Sequence, residues 1–326
     1  MVRRGRMKIL FLTHPYPNYV PDLLLHGLRK LLGPDVVDSP RKACLYEGVL
    51  GLGVCPPNQL CPGWFPSDEG GIDRTEIALK IARGHFDAVV CDRRAFADWR
   101  DRLADARLPV AVIDGEDRPH PLPPGGYVVF RRETDGTDYS IPLPMALPEE
   151  ILHWIAAYDG EPKRYPVGFL GSTHDGRRRA LVAGLAARHP GCLFSASAVP
   201  SPENPFPEGR FGRDDYYREL QRCRVVLSLA GAGWDTFRFW ENAACNAVHL
   251  AQRMPLAIPE DFREGEGILR FAGTADLYRQ VERALSMPEG GRGFAAAARA
   301  HLRRHHLTVH RARYFLDRLR RAFAGR

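Results

Sequence analysis

Short apolar runs alternate with amphipathic stretches along most of the chain. Residues 8–13 (KILFLT) stay apolar until Thr13 and read as a strand buried on both faces. The Pro-rich segment His14-Pro15-Tyr16-Pro17-Asn18-Tyr19 follows, and a helical pattern begins near Pro21. An amphipathic stretch over 74–83 leads to residues 86–92 (FDAVVCD), a second buried strand with a polar end. A helix expected over 96–106 leads to a third strand at 109–114 (PVAVID). Strands alternating with helices predict a parallel, doubly wound α/β sheet.

In such sheets ligands gather at the carboxyl ends of the strands. Those ends carry Thr13 and His14, Asp92 and Arg93, and Asp114, Gly115, Glu116 and Asp117. Residues 46–71 are rich in Gly and Pro and lack a period, which predicts a long loop of the kind that often carries function.

The pattern breaks at 143–148 (LPMALP), and after a helix reaching Tyr158 the polar stretch 159–163 (DGEPK) precedes a fresh strand at 166–170. The alternation then restarts with a Gly171-Ser172-Thr173 turn, a helix through Arg188, a strand at 192–194 and a Pro-rich loop. A helix at 214–222 and a strand at 225–229 follow, and helices over 274–285 and 294–323 close the chain. The expected division is a first α/β domain over 7–158, a second over 159–304, and a C-terminal helix, 305–326, packing on the first. No repeat at a solenoid period is visible.

A length of 326 residues suits two domains, and 44% hydrophobic with 26% charged residues is the composition of a folded globular chain. No apolar run reaches the roughly 18 residues of a membrane span. The N-terminus, with three arginines in its first six residues, turns polar at Thr13-His14 before a signal sequence forms. A cytoplasmic protein is expected. Seven cysteines, an odd number, argue against a disulfide framework. Cys55 and Cys61 are too widely spaced for a zinc knuckle, and His301 with His305 lacks the glutamate of a metalloprotease helix.

The net charge of +7 favours anionic partners, among them nucleotide sugars, nucleic acids and lipid headgroups. The arginines of 299–326 fall on several faces of their helical pattern, while Tyr314, Phe315, Leu316 and Leu319 require a core. That describes a docking helix with a solvated basic side. No stable nucleic-acid binding is expected from it, and a peripheral membrane contact stays open.

The strongest chemical signal is residues 225–241, a strand entering a glycine turn at Gly231 and Gly233 and then a helix carrying Asp235, Arg238 and Glu241. Glycines admit an anion close to the backbone, the helix start offers unpaired N–H groups, and arginine adds a forked positive charge. The same spacing fits a plain turn in which Arg238 and Glu241 pair with each other.

Residues 168–172 (GFLGS) with Arg177, Arg178 and Leu181, residues 217–220 ahead of 225–229, residues 236–241 (TFRFWE), and His306 with residues 310–314 (HRARY) are where the chain resembles a known family. It is similar to the GT-B glycosyltransferases with a group 1 type C-terminal domain, in the branch related to the spore maturation protein CgeB. Residues 114–117, 127–133 and 142–144 extend the likeness into the first half. The resemblance implies two Rossmann-like domains facing across a cleft, a final helix crossing back to the first domain, and metal-independent sugar transfer from a nucleotide diphosphate sugar, a UDP-sugar first of all, to an unknown acceptor.

It also implies donor contacts from Gly171, Ser172, Arg178, Gly231, Gly233, Asp235, Arg238 and Glu241, with Arg238 neutralising the leaving diphosphate, Glu241 on the ribose, and the acidic loop 259–268 beside the sugar. The chain departs from the pattern at Gly233, where many relatives carry a glutamate, and at Asn246, where a glycine is common. A noncatalytic nucleotide-binding protein and a nucleic-acid-modifying glycosyltransferase are the rival readings. If transfer inverts configuration, a base must deprotonate the acceptor, and His14, Asp92, Glu116 and Asp117 are the candidates at strand ends.

Overall fold

The computed structural model describes residues 7–47, 63–67, 71–104, 108–173, 176–195 and 211–324. Cys55, Cys61 and most of the expected 46–71 loop lie outside these residues. The chain forms two compact units, one of Met1–Pro148, Leu256–Pro259 and Leu307–Arg326, the other of Glu149–Pro255 and Glu260–His306.

The first unit holds six parallel strands, β1 (Ile9–Leu12), β2 (Val36–Ser39), β3 (Ala88–Asp92), β4 (Val110–Asp114), β5 (Val128–Arg131) and β6 (Ile141–Pro142), in the order β2-β1-β3-β4-β5-β6. Ile9 lies between Val36 and Ala88, and the register continues along the sheet without a bulge at β1. Every residue of β1, β3 and β4 is buried, which is why their sequences are continuous apolar runs rather than alternating ones. Helices α1 (Tyr19–Leu32), α2 (Ile77–Ala82) and α3 (Arg93–Ala104) connect the strands. Ile77, Ile81, Phe96 and Leu103 close one face over Leu10, Val89 and Val112.

The second unit repeats the plan. Its strands β7 (Tyr165–Leu170), β8 (Leu193–Ser195), β9 (Cys223–Ser228), β10 (Val248–Gln252) and β11 (Ile268–Phe271) are parallel in the order β11-β10-β9-β7-β8. In both units the second strand lies on one side of the first and all later strands on the other. Helices α4 (Glu149–Ala156), α5 (Gly176–Arg188), α6 (Arg213–Gln221), α7 (Phe237–Ala244), α8 (Thr274–Leu285) and α9 (Arg292–His305) belong to this unit. Phe169, Leu227 and Leu250 from the sheet meet Leu185 of α5 and Leu277 and Val281 of α8 in its core.

The second unit begins ten residues before the expected boundary. Gln221 Nε2 donates to the Ile155 carbonyl (3.0 Å), and Ile151 and Ile155 are fully buried, so α4 is part of the second unit's packing. The helix expected over 294–323 is two helices. His306 N closes α9 on Leu302 O (2.8 Å), Thr308 N takes Leu147 O (3.1 Å), and α10 (Thr308–Phe323) belongs to the first unit.

There α10 lies on α1, burying Ala312, Phe315, Leu316 and Leu319, with Phe315 against Phe130 at 4.5 Å between ring centroids. Burial of such side chains contributes about 1.5–3 kcal/mol each. The two helices cross so closely at Gly27 that a Cβ there would stand 2.1 Å from the Thr308 carbonyl oxygen. Arg313, Arg318, Arg320 and Arg321 remain exposed. No helix among the described residues is long and apolar enough to cross a membrane.

Candidate functional site

In an open parallel sheet the ligand crevice opens where neighbouring strands connect in opposite directions. In the second unit that place is between the carboxyl ends of β7 and β9. β7 ends at Leu170 and runs into Gly171 and Ser172, while β9 ends at Ser228 and runs into the glycine turn. Gly231 N donates to Gly233 O at 2.7 Å, so the turn folds back on itself.

Helix α7 is moored to the sheet beneath this turn. Trp240, fully buried, donates its indole N–H to Asp235 Oδ1 (2.8 Å), and Asn242 Nδ2 donates to Leu227 O and Ser228 Oγ (2.9 Å each). Ser228 Oγ is in turn hydrogen-bonded to His249 Nε2 at 2.8 Å. Burial, with Arg270 adding to it, pushes the His249 imidazole down to about 3, so the ring is neutral in this apolar layer at pH 7.

The mooring fixes Arg238 on the first turn of α7. Its Nε donates to Leu170 O (2.7 Å), and its guanidinium carbon stands 4.8 Å from the centre of the Phe169 ring. A Cβ at residue 171 would fall 2.1 Å from Nη2, so the glycine at the end of β7 is what admits the guanidinium. Among the described residues neither terminal nitrogen of Arg238 donates a hydrogen bond or meets a carboxylate, and the side chain is only partly buried. The expected alternative, an Arg238–Glu241 pair, is not formed.

Arg178 is of a different kind. It is 6% exposed and gives Nη1 to Ser172 O (3.0 Å), Nη2 to Leu229 O (3.0 Å) and Nε to Ala230 O. It ties the two strand ends together, and a Cβ at Gly231 would come within 2.9 Å of it. Asp235 and Glu241, both expected beside the donor, are buried at 1% and 3% exposure. Asp235 receives Trp240, while Glu241 Oε1 and Oε2 accept the phenols of Tyr217 (2.9 Å) and Tyr216 (3.0 Å). Burial and the Glu241 charge hold the Tyr216 phenol well above its ordinary value. In this structure both carboxylates brace α7 from inside.

The four candidate bases of the first unit separate on their partners. His14 Nδ1 accepts Tyr16 N–H (3.2 Å), which engages the ring nitrogen that a neutral imidazole would use to take a proton. Glu116 is held in a forked pair by Arg94 (2.6 and 3.0 Å); burial works to raise its pKa, but the Arg94 bonds and charge outweigh it and keep the carboxyl below the ordinary range. Asp117 pairs with Arg132.

Asp92 stands apart, at the end of β3 and 1% exposed. Its Oδ1 accepts Arg94 N–H (2.9 Å), its Oδ2 has no partner, and burial raises its pKa. Beside it are groups that the sequence did not single out. Lys42, fully buried, donates to His14 O (2.7 Å) and Tyr16 O (2.8 Å) and meets Asp22 at 2.9 Å. A polar residue on the first turn of α1 and a lysine after β2 carry no motif, so only the fold brings them to the strand ends.

Among the described residues no three His, Cys, Asp or Glu side chains gather as a metal site. The His301 and His305 rings lie 4.7 Å apart and tilted by 41°, and His301 Nε2 is hydrogen-bonded to Glu260 O (2.7 Å).

Residues 177–317 match the family described as Glycosyl transferase-like, a stretch that takes in Arg178, the glycine turn and α7. Among solved structures, a glycosyltransferase from Rickettsia africae superposes over 99% of this chain and all of its own with a TM-score of 0.63 at 10% identity. HepE from Anabaena, in complex with UDP, covers 96% of this chain and 99% of its own at 0.59 and 12% identity. Sucrose-phosphate synthase from Thermosynechococcus elongatus covers 98% and 100% at 0.55 and 12% identity. The fold is the GT-B fold, with two Rossmann-like α/β domains. Curated proteins give no sequence match.

Proposed function

We propose that this protein is a glycosyltransferase that takes a sugar from a nucleoside diphosphate donor, a UDP-sugar, at the β7–β9 crevice and passes it to an acceptor hydroxyl. The observation that carries this reading is Arg238: a guanidinium pinned through Nε and stacked on Phe169, with both terminal nitrogens uncommitted. Such a fork suits a diphosphate, and it is preorganised for the charge that develops as the sugar leaves. Gly171, Ser172, Gly231 and Gly233 supply the backbone approach, and Arg178 keeps the two strand ends in place.

Arg238 takes the part that a divalent cation plays elsewhere, so transfer is metal-independent. HepE, whose structure holds UDP, lends the donor class. The segments at 168–172 and 236–241 support a reading within the CgeB-like branch, and a cytoplasmic place of action is part of that reading.

The test is a thermal-shift screen against UDP, GDP, ADP, CDP and dTDP. A ligand present at 100 times its dissociation constant stabilises a native protein by about 2.7 kcal/mol. UDP is expected to raise the melting temperature above all others, and no shift from any nucleotide contradicts the proposal.

A further inference from the structure

Ala230, at the mouth of the glycine turn, is held from both sides. Its carbonyl accepts Nε of Arg178, and its N–H donates to Oε1 of Gln252 at 3.1 Å. Gln252 ends β10, and its neighbour Ala251 lies level with Ser228 of β9. The amide therefore stands on the opposite side of β9 from β7, whose end seats Arg238. A backbone N–H can only donate, so the oxygen of the Gln252 amide must face Ala230, and this fixes which way the group is turned.

What remains is Nε2 with its two N–H bonds. It donates to no protein group among the described residues, and the side chain is half-buried. Its charged and polar neighbours in sequence and at the turn have other tasks. Arg253 is committed to Glu264 (2.8 Å), Arg178 to three carbonyls, and the neutral His249 to Ser228. A group pinned through one atom, with the other left for a ligand at the carboxyl edge of a parallel sheet, is preorganised to donate. An amide carries no net charge, and the diphosphate already has the Arg238 fork. The amide therefore matches a neutral acceptor oxygen, a hydroxyl or a carbonyl, elsewhere on the same ligand.

We infer that Gln252 is a specificity-determining residue of the donor site: Nε2 donates to a neutral oxygen of the nucleotide sugar while Oε1 holds the glycine turn. This rests on the glycosyltransferase reading and deepens it. A ligand whose diphosphate lies at Arg238 crosses the glycine turn to reach Gln252, so the bond is made by the part of the donor on the β10 side. That part is the nucleoside, through a base carbonyl or ribose hydroxyl, or the transferred sugar, through a hydroxyl. An analogue lacking the oxygen would cover the amide and leave its bond unmade, which is how a single hydrogen bond selects a ligand.

Gln252→Glu keeps an oxygen on Ala230 N–H and removes the donor, while Gln252→Met, of similar length, removes both. Calorimetric titration of the full chain with UDP and with UDP-glucose reads the result. Gln252→Glu is expected to melt like wild type and to bind about tenfold more weakly, and the loss persists at raised salt, which screens the charge the variant brings. A loss for both ligands assigns the oxygen to the nucleoside, and a loss for UDP-glucose alone assigns it to the sugar. Gln252→Glu binding both ligands like wild type, whether or not Gln252→Met binds more weakly, makes the residue a brace of the turn and overturns the inference. A loss that salt abolishes, or a lower melting temperature of Gln252→Glu, overturns it too. Wild type that binds neither nucleotide speaks against the donor reading itself, whereas wild-type binding that Gln252→Glu leaves unchanged speaks against Gln252 alone.

Discussion

The Arg238 guanidinium fills the space beside Gly171: a Cβ at that position would lie 2.1 Å from Nη2 and 2.5 Å from Cζ. The end of a strand and the first turn of a helix 67 residues later are thus matched by the absence of one methyl group. Gly171→Ala is expected to push the guanidinium off Leu170 O and Phe169 and to weaken UDP binding about tenfold or more, the worth of about 1.4 kcal/mol. The displaced group is the mobile end of a long side chain, so the melting temperature should hardly change. Calorimetric titration beside a melting curve reads both.

Gly27→Ala tests the α1–α10 contact. Here the new methyl meets backbone, the Thr308 carbonyl oxygen at 2.1 Å, and Ala312 Cβ at 3.1 Å. Neither can step aside without parting the helices. A loss of about 1–3 kcal/mol is expected, as for overpacked cores, and urea unfolding measures it.

Asp22 gives the fold a pH dependence of definite sign. Burial raises its carboxyl to about 6 against the charge of Lys42, from an ordinary value of 3.8. The native state therefore holds a proton that the unfolded chain has released between roughly pH 4 and 6. Stability from this group is fully present below about pH 4 and is lost as pH rises through 6, a change of roughly 3 kcal/mol. Unfolding free energies measured from pH 4.5 to 7.5 should fall across that window in wild type and fall less in Asp22→Asn. Equal slopes would contradict the assignment.

Much of this architecture is legible in residue order. β1, β3 and β4 are buried throughout and β7 and β9 over most of their length, and their apolar runs announce them. β10 (VHLAQ) and β11 (ILRF) are not announced, because His249, Gln252 and Arg270 interrupt them. His249 is tolerated inside only because Ser228 meets it. The division of the last helix at His306 is equally silent, since no Gly or Pro marks it and the break serves the passage of the chain to the first unit.

At the candidate site, Gly231 and Arg238 could be named from the run of strand, glycine turn and helix, and Gly171 from the family resemblance, while the tasks of Asp235, Glu241 and Arg178 could not. A carboxylate or guanidinium on a short helix looks the same in sequence whether it faces a ligand or a buried tryptophan, a pair of tyrosines, or three carbonyls. Asp22 and Lys42 carry no motif, and only the fold brings their ion pair to the strand ends beside Asp92.

The central claim is that the second unit binds a nucleoside diphosphate through Arg238. Titration of UDP into wild type and Arg238→Ala by calorimetry tests it most directly. Saturable binding in wild type, weakened by about 1.5–3 kcal/mol or more in a variant that melts like wild type, is the predicted result for loss of a charge-assisted contact. UDP binding of equal strength in both proteins, or in neither, would contradict it.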